Sequence, residues 1–145
     1  MTKVFVDIDE TLRHYGDVRT NQPNPTAAEL EILRVLWERG SGSVRDVQRA
    51  MNEVKPTGYT TVLKLLQIMT GKGLVTRDDT VRPQIYSARL PREQTQRKML
   101  DDLAARAFGG SVKALVLQAL AGRKTSAREL AEIEKLLDRI ERKNQ

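Results

Sequence analysis

The sequence predicts a mainly α-helical protein with a small β-hairpin. Apolar residues recur with a helical period of 3.6 through residues 26–72, and the period changes to two over residues 74–88. The helical period then returns in residues 91–145. This order predicts an N-terminal winged helix-turn-helix, in which a β-ribbon follows three short helices, and a C-terminal helical dimerisation region.

Two short helices open the predicted winged helix. The first begins at a capping box formed by Thr26 and Glu29 and ends at Gly40. The second begins at Ser43 and ends before the Lys-Pro-Thr-Gly segment at 55–58. Their predicted inward positions are Leu30, Leu33, Leu36, Trp37, Val44, Val47 and Met51.

A third helix and a hairpin complete this region. The helix spans residues 59–72, and Gly73 closes it. Residues 74–77 and 84–88 read as two short strands on either side of a polar turn. The predicted inward positions of the helix are Val62, Leu65, Leu66 and Met69.

The helix and hairpin also expose polar side chains that suit DNA. Threonine hydroxyls can meet base edges or phosphates, and Lys64 can bond guanine or a phosphate. Hairpin arginines can contact the DNA backbone or a narrow minor groove. The alternative interpretation is an ordinary solvated helix face and a hairpin edge protected by charge. The candidate DNA-contact residues are Ser43, Lys55, Tyr59, Thr60, Thr61, Lys64, Gln67, Lys72, Arg77, Arg82, Gln84 and Tyr86.

Three further helices are predicted after the hairpin. The first begins at Pro91 and ends at a Gly-Gly pair, Ser111 caps the second, and a capping box at 126–129 opens the third. Each has an apolar face and no sheet to cover it, which favours pairing with a second copy of the chain. The predicted interface residues are Leu103, Phe108, Val112, Leu115, Val116, Leu130, Ile133, Leu137 and Ile140.

Charge and proline content divide the chain into three stretches. Residues 1–25 carry a net charge of −1 and end in two prolines, which predicts an N-terminal extension or linker. The predicted winged-helix domain, residues 26–90, carries +3, and the predicted helical dimerisation domain, residues 91–145, carries +4. A basic excess of this kind is expected of a nucleic-acid binder, although other proteins share it.

The composition also excludes several classes of function. The chain of 145 residues has no cysteine, which excludes disulfides, thiolate zinc sites, iron–sulfur clusters and cysteine nucleophiles. A single histidine, His14, excludes a histidine-rich metal site, so we expect no metal and no cofactor. The sequence has no apolar run of 18 residues and no signal-peptide pattern at its N-terminus. We therefore expect a cytoplasmic protein without membrane insertion.

Most of the chain resembles the penicillinase-repressor family of bacterial transcription regulators, which includes β-lactamase, methicillin-resistance and copper-responsive repressors. The resemblance rests on the segments TAAELEILRVLWERGSGSVRDVQ, GYTTVLKLLQIMTGKGLVTRD, QIYSARL and FGGSVKALVLQALAGRKTSARELAEIEKLLDRI. It implies a repressor that binds a palindromic operator in double-stranded DNA as a homodimer. It also implies base contacts from Thr60, Thr61 and Lys64, which fall where the recognition helix of the family begins.

The resemblance further suggests how such a repressor is released. In antibiotic-responsive members, a sensor-linked proteolytic cut in the C-terminal region frees the operator, which makes a membrane sensor-protease a candidate partner. The corresponding segment here, residues 106–109, lacks the Asn-Phe pair, so the resemblance leaves cleavage open. Copper sensing through the cysteine-rich motif of the metal-responsive branch is excluded, because the chain has no cysteine.

Two other functions are possible alternatives. Residues 4–12, VFVDIDETL, resemble the first motif of haloacid-dehalogenase-type phosphatases, with Asp7 as nucleophile and Asp9 as general acid beside Mg²⁺. Such enzymes need a parallel sheet with further catalytic residues on later strands, whereas the remaining sequence predicts helices. We therefore expect a regulator and not an enzyme. The second alternative is a winged helix that binds another protein and has no role on nucleic acid.

Overall fold

The computed structural model of the chain describes residues 24–144 and confirms a mainly α-helical fold with one antiparallel hairpin. The phosphatase-like motif at Asp7 and Asp9, like all of the predicted extension 1–25 except its last two residues, lies outside the described residues. The elements are α1 (Ala27–Arg39), α2 (Val44–Asn52), α3 (Tyr59–Lys72), β1 (Val75–Asp78), β2 (Ile85–Ala88), α4 (Arg92–Ala107), α5 (Val112–Leu120) and α6 (Ala127–Lys143). The described chain divides into two compact units, residues 24–100 and 101–144.

Helices α1 and α2 both begin at capping boxes. The Thr26 hydroxyl accepts a hydrogen bond from the Glu29 amide at 3.2 Å, and a Glu29 carboxylate oxygen accepts one from the Thr26 amide at 2.9 Å. Ser43 and Asp46 repeat this arrangement at α2. Hydrogen bonds from the backbone and side chain of Ser43 lower the pKa of Asp46, because they favour its charged form. Each box satisfies amide groups that a helix N-terminus otherwise leaves without partners.

A single hydrophobic core joins the first three helices to the hairpin. Ile32 is fully buried, whereas Leu30, for which the sequence analysis predicted an inward position, is only half-buried. The reason is geometric, since Ile32, Leu33 and Leu36 form the stripe of α1 that faces the other elements. The core residues are Ile32, Leu33, Leu36, Val44, Val47, Met51, Val62, Leu66, Met69, Leu74, Val75 and Tyr86.

Trp37 connects α1 to the segment that follows the hairpin. Its side chain is half-buried, and its indole Nε1 donates a hydrogen bond to the Leu90 carbonyl at 3.0 Å. The guanidinium of Arg92 lies over the indole ring, 5.8 Å from the centroid. The Trp37 side chain is therefore one of the contacts that attach the start of α4 to the winged helix, and Gln94 and Thr95, near the start of that helix, are also buried.

The hairpin is also tied to the connection between α1 and α2. Strands β1 and β2 pair with Arg77 opposite Tyr86, and Gly42 forms an isolated bridge with the other edge of Tyr86. The Gly42 amide donates to the Tyr86 carbonyl at 2.9 Å, and the Tyr86 amide donates to the Gly42 carbonyl at 2.8 Å. A Cβ atom at position 42 would lie 3.3 Å from side-chain atoms of both Arg39 and Asp46, so the close approach favours glycine.

One buried ion pair joins the start of α1 to the end of α3. Glu29 is only 2% exposed, and both of its carboxylate oxygens accept hydrogen bonds from Lys72 Nζ, at 2.9 and 3.1 Å. Burial by itself raises the pKa of Glu29, but the hydrogen bonds from Thr26 and the charge of Lys72 outweigh burial and lower it. The carboxylate therefore stays charged inside the protein.

The helices of residues 101–144 are far more exposed. Among these described residues only Ala104 and Leu115 are buried, and no side chain of α6 is. Gly109 and Gly110, which adopt positive φ angles of 57° and 86°, separate α4 from α5. No single helix in residues 24–144 is long and apolar enough to cross a membrane; α4 and α5 meet that criterion only together, as a bent pair, by length and composition.

Substituting Glu29→Gln tests the contribution of this ion pair to stability. Near neutral pH we expect the free energy of unfolding to fall by about 1–3 kcal/mol, because a buried charged hydrogen-bonding group is lost. The pKa of Glu29 is lower in the folded chain than its ordinary value of 4.5. Its contribution is therefore complete above that value and is lost as the pH falls through the folded-state pKa.

Urea unfolding followed by circular dichroism at several pH values measures this effect. Wild type and Glu29→Gln should converge in stability as the pH is lowered. Glu31→Gln, which changes an exposed acid in the same helix, provides the control and should behave as wild type. A loss in Glu29→Gln that is equal at every pH would contradict the assignment.

Candidate nucleic-acid interface

The outer face of α3 exposes several polar side chains. Thr60, Thr61, Lys64 and Gln67 are all exposed on it, while Val62, Leu66 and Met69 are buried on the opposite side. Helix α3 contains no aspartate or glutamate, and its N-cap is a glycine, which offers no side-chain acceptor to the first amides. This face can therefore donate hydrogen bonds and present positive charge without a competing carboxylate on the same helix.

Two arginines of α2 extend this surface, and the sequence analysis did not identify them. Arg45 and Arg49 are exposed four residues apart, and the Arg45 guanidinium lies 5.5 Å from the centroid of the Tyr59 ring. An open groove of about 270 Å³ runs between α2, the start of α3 and the hairpin. It is lined by Ser43, Val44, Arg45, Asp46, Arg49, Tyr59, Leu63, Pro83 and Gln84. The sequence could have identified both arginines, because they fall between the inward positions of the predicted helix and therefore on its outward side.

The hairpin brings three of the predicted contact residues together. Arg77 Nε lies 2.7 Å from a carboxylate oxygen of Asp79, and Gln84 Nε2 donates to the same oxygen at 3.0 Å. Arg82 Nη1 donates to the Asp79 carbonyl at 2.8 Å. Hydrogen bonds to Asp79 and then to the Tyr86 side chain raise the pKa of Arg77 above its ordinary value. Lys55 lies exposed in the turn between α2 and α3.

The structure corrects two of the predicted contact residues, Tyr86 and Ser43, and gives a third, Lys72, a partner within the fold. Tyr86 is 1% exposed and belongs to the core, so its side chain cannot reach DNA. Ser43 is buried, and its hydroxyl caps α2. Lys72 holds the carboxylate of Glu29 and is occupied in the fold.

The predicted interface residues divide in a similar way. Leu115 is buried in the single chain, which corrects its assignment to the interface. Phe108 and Ile133 are half-buried. The remaining predicted interface residues are between 41% and 52% exposed: Leu103, Val112, Val116, Leu130, Leu137 and Ile140. Four of the predicted interface residues lie on α6, none of whose described side chains is buried: Leu130, Ile133, Leu137 and Ile140.

Comparison with known proteins identifies the family. The family model described as penicillinase repressor matches residues 25–139. The chain belongs to the penicillinase repressor family. A penicillinase repressor from Staphylococcus aureus is 21% identical over 116 residues, covering 80% of this chain and 92% of that protein. One from Bacillus licheniformis is 22% identical over 116 residues, covering 80% and 91%.

Two solved structures of regulators show a weaker similarity to this chain. The solution structure of monomeric Bacillus licheniformis BlaI, in complex with the blaP half-operator, is 21% identical with a TM-score of 0.44. The matched region covers 50% of this chain and 88% of the BlaI chain. A MarR family protein from Bacillus stearothermophilus is 18% identical with a TM-score of 0.46, covering 98% and 91%.

Membership in the penicillinase repressor family confirms the resemblance drawn from the sequence segments. It also confirms the expected class, a transcription repressor and not an enzyme. The family match begins at residue 25, so it does not include the phosphatase-like motif at Asp7 and Asp9.

Gly71 offers a test of how open the outer face of α3 is. It lies seven residues after Lys64, on the same side of the helix, and a Cβ atom there would meet no heavy atom of the described chain within 4 Å. Gly71→Ala should raise the free energy of unfolding by about 0.5–1 kcal/mol, because alanine favours the helix. The measurement is urea unfolding.

Gly73→Ala is the matched control two residues away. Gly73 ends α3 with a positive φ of 79°, a conformation that alanine adopts with strain. This substitution should lower stability. Destabilisation by Gly71→Ala would contradict the open face.

Proposed function

We propose that the chain is a transcription repressor that binds a palindromic operator as a homodimer, with α3 and the hairpin on the DNA. The observation that carries the proposal is the exposed face of α3, on which Thr60, Thr61, Lys64 and Gln67 stand without any carboxylate on the same helix. Threonine, lysine and glutamine side chains can all bond base edges in the major groove. The curated relatives, which are named penicillinase repressors, support the same function.

The proposed contact surface has three parts. Base contacts come from Thr60, Thr61 and Lys64 on α3, and Gln67 lies one turn further along the same face. Phosphate contacts come from α2, the following turn and the hairpin, since these surround α3 with exposed cations. Their residues are Arg45, Arg49, Lys55, Arg77 and Arg82, with Tyr59 and Gln84 beside them.

We infer that dimerisation uses the helices after the hairpin, within the proposed dimerisation domain of residues 91–145. The winged-helix domain proposed for residues 26–90 has its own core, but α6 buries none of its described side chains. A helix with one apolar stripe gains its stability mainly by covering that stripe against a partner. A second copy of the same stripe also gives the two-fold symmetry that a palindromic operator requires.

Release of the operator by a signal is the last part of the proposal. The segment that corresponds to the cleavable region of the family, residues 106–109, lies where α4 ends. Arg106 and Ala107 are exposed, and Gly109 leaves the helix with a positive φ. An exposed chain that leaves its helix at this point is the kind of site at which proteolysis concentrates. Cleavage by a membrane sensor-protease is thus one route of release that this exposed segment would allow.

Fluorescence anisotropy tests DNA recognition. The protein is titrated against DNA from its own upstream region and against a scrambled duplex, at about 50 and 200 mM salt. We expect tighter binding to the upstream DNA and a steep loss of affinity with salt, because neutralised phosphates release counterions. Equal binding to both duplexes would contradict the proposal, and a partner-protein role would be favoured if binding were also insensitive to salt.

Lys64→Ala tests the base contact. We expect it to weaken binding to the upstream DNA by about 1–3 kcal/mol and to affect the scrambled duplex much less. Lys72→Ala is the control on the same helix, since Lys72 is held by Glu29; it should lower stability and leave discrimination between the duplexes unchanged. An equal loss on both duplexes for Lys64→Ala would assign Lys64 to a phosphate instead.

Leu137→Asp or Ile133→Asp tests the dimer. Either should dissociate it in sedimentation velocity, because an unpaired charge would enter a shared apolar stripe. Ala131→Asp is the matched control, since Ala131 is exposed on the same helix and lies more than about 100° around it from Ile133, Leu137 and Ile140. A dimer that survives Leu137→Asp, or that dissociates equally with Ala131→Asp, would show that the stripe is not the interface.

A further inference from the structure

The tip of the hairpin is organised around Asp79, which the sequence analysis did not single out. Its carboxylate accepts hydrogen bonds from Arg77 and Gln84, and its carbonyl accepts one from Arg82. Arg82 also donates to the Val81 carbonyl at 3.1 Å. All three side chains proposed to contact DNA from the hairpin are therefore bound to one residue.

Electrostatics alone gives no reason for an acid at this position. Residues 77–84 contain two arginines and two aspartates, so the hairpin tip has no net charge to attract phosphates. Asp79 is exposed, and exposed ion pairs contribute little to stability. A carboxylate beside a proposed DNA surface also repels phosphates, so its benefit must come from somewhere else.

The benefit of Asp79 is that it orders neighbouring side chains before DNA binds. Arginine and glutamine side chains lose considerable rotamer freedom when they are fixed, and DNA binding is weakened by that cost unless they are ordered beforehand. A guanidinium has five N–H donors, and the contact with Asp79 uses its Nε and one terminal nitrogen, at 2.7 and 3.5 Å. Further donors remain for a phosphate or a base edge.

We propose that Asp79 is a positioning residue whose carboxylate orders Arg77 and Gln84 in the free protein for contact with the operator, while its backbone carbonyl holds Arg82 beside them. The proposal rests on the proposed function, because it assigns Asp79 a role in the same DNA surface. It predicts that removal of a negative charge from the hairpin weakens specific binding, which is the opposite of what simple charge repulsion predicts.

Asp79→Ala and Asp79→Asn test this in the anisotropy titration with upstream and scrambled DNA. We expect Asp79→Ala to bind the upstream DNA about 3- to 10-fold more weakly and the scrambled duplex as tightly as wild type or more tightly. Asp79→Asn should recover part of the loss, because its amide oxygen can still accept from Arg77. Both variants should unfold at the wild-type temperature, since the substituted side chain is exposed.

Glu53→Ala is the control for charge, because Glu53 is an exposed acid two residues from Lys55 and outside the hairpin. It should bind both duplexes slightly more tightly. If Asp79→Ala matches Glu53→Ala, or does not differ from wild type, the positioning role is overturned while DNA recognition by the wild type stands. If the wild type itself does not discriminate between the duplexes, the proposed function fails and the role of Asp79 fails with it.

Discussion

The hairpin is attached to the helix-turn-helix by the two backbone hydrogen bonds between Gly42 and Tyr86. They join the α1–α2 connection to β2, and the buried Tyr86 side chain fills the core directly beneath them. Because a two-stranded hairpin is barely stable by itself in water, its position relative to α3 depends on this attachment. Together with Val75 and Tyr86 in the core, these hydrogen bonds hold the hairpin beside α3, and the proposed DNA surface combines α3 with the hairpin tip.

The basic residues of the winged helix differ in role, and the contacts of each side chain indicate its role. Lys72 is bound to a carboxylate that is 2% exposed, so it holds the ends of α1 and α3 together. Arg39 forms an ion pair with Asp46 at 3.4 Å, beside the capping box of α2. Lys64 lies on a helix that has no acid, and its charge faces outward. A count of basic residues is therefore a poor guide to a DNA surface, and the partner of each cation is a better one.

Local signals in the sequence predicted the elements well, and long-range contacts explain the errors. The capping box at Thr26 predicted where α1 begins, and Gly73 predicted where α3 ends. Both signals act within a few residues of the helix terminus. The structural role of Lys72 was missed because its partner, Glu29, is 43 residues away in sequence. Tyr86 was misassigned because β2 has only four residues, with apolar side chains on both faces, and a period of two cannot say which face is inside.

The region after the hairpin raises a different physical problem. Helix α6 has 17 residues, and isolated helices only slightly shorter are already marginal in water. Its capping by Ser126 and the ion pair between Arg128 and Glu132, at 3.9 Å and largely solvated, add little. Leucine and isoleucine side chains that remain about half exposed can still gain about half of their burial energy from a partner that covers them. The proposed dimer would therefore do more than duplicate the DNA-binding surface, since it would supply the hydrophobic contacts that α6 lacks among residues 24–144.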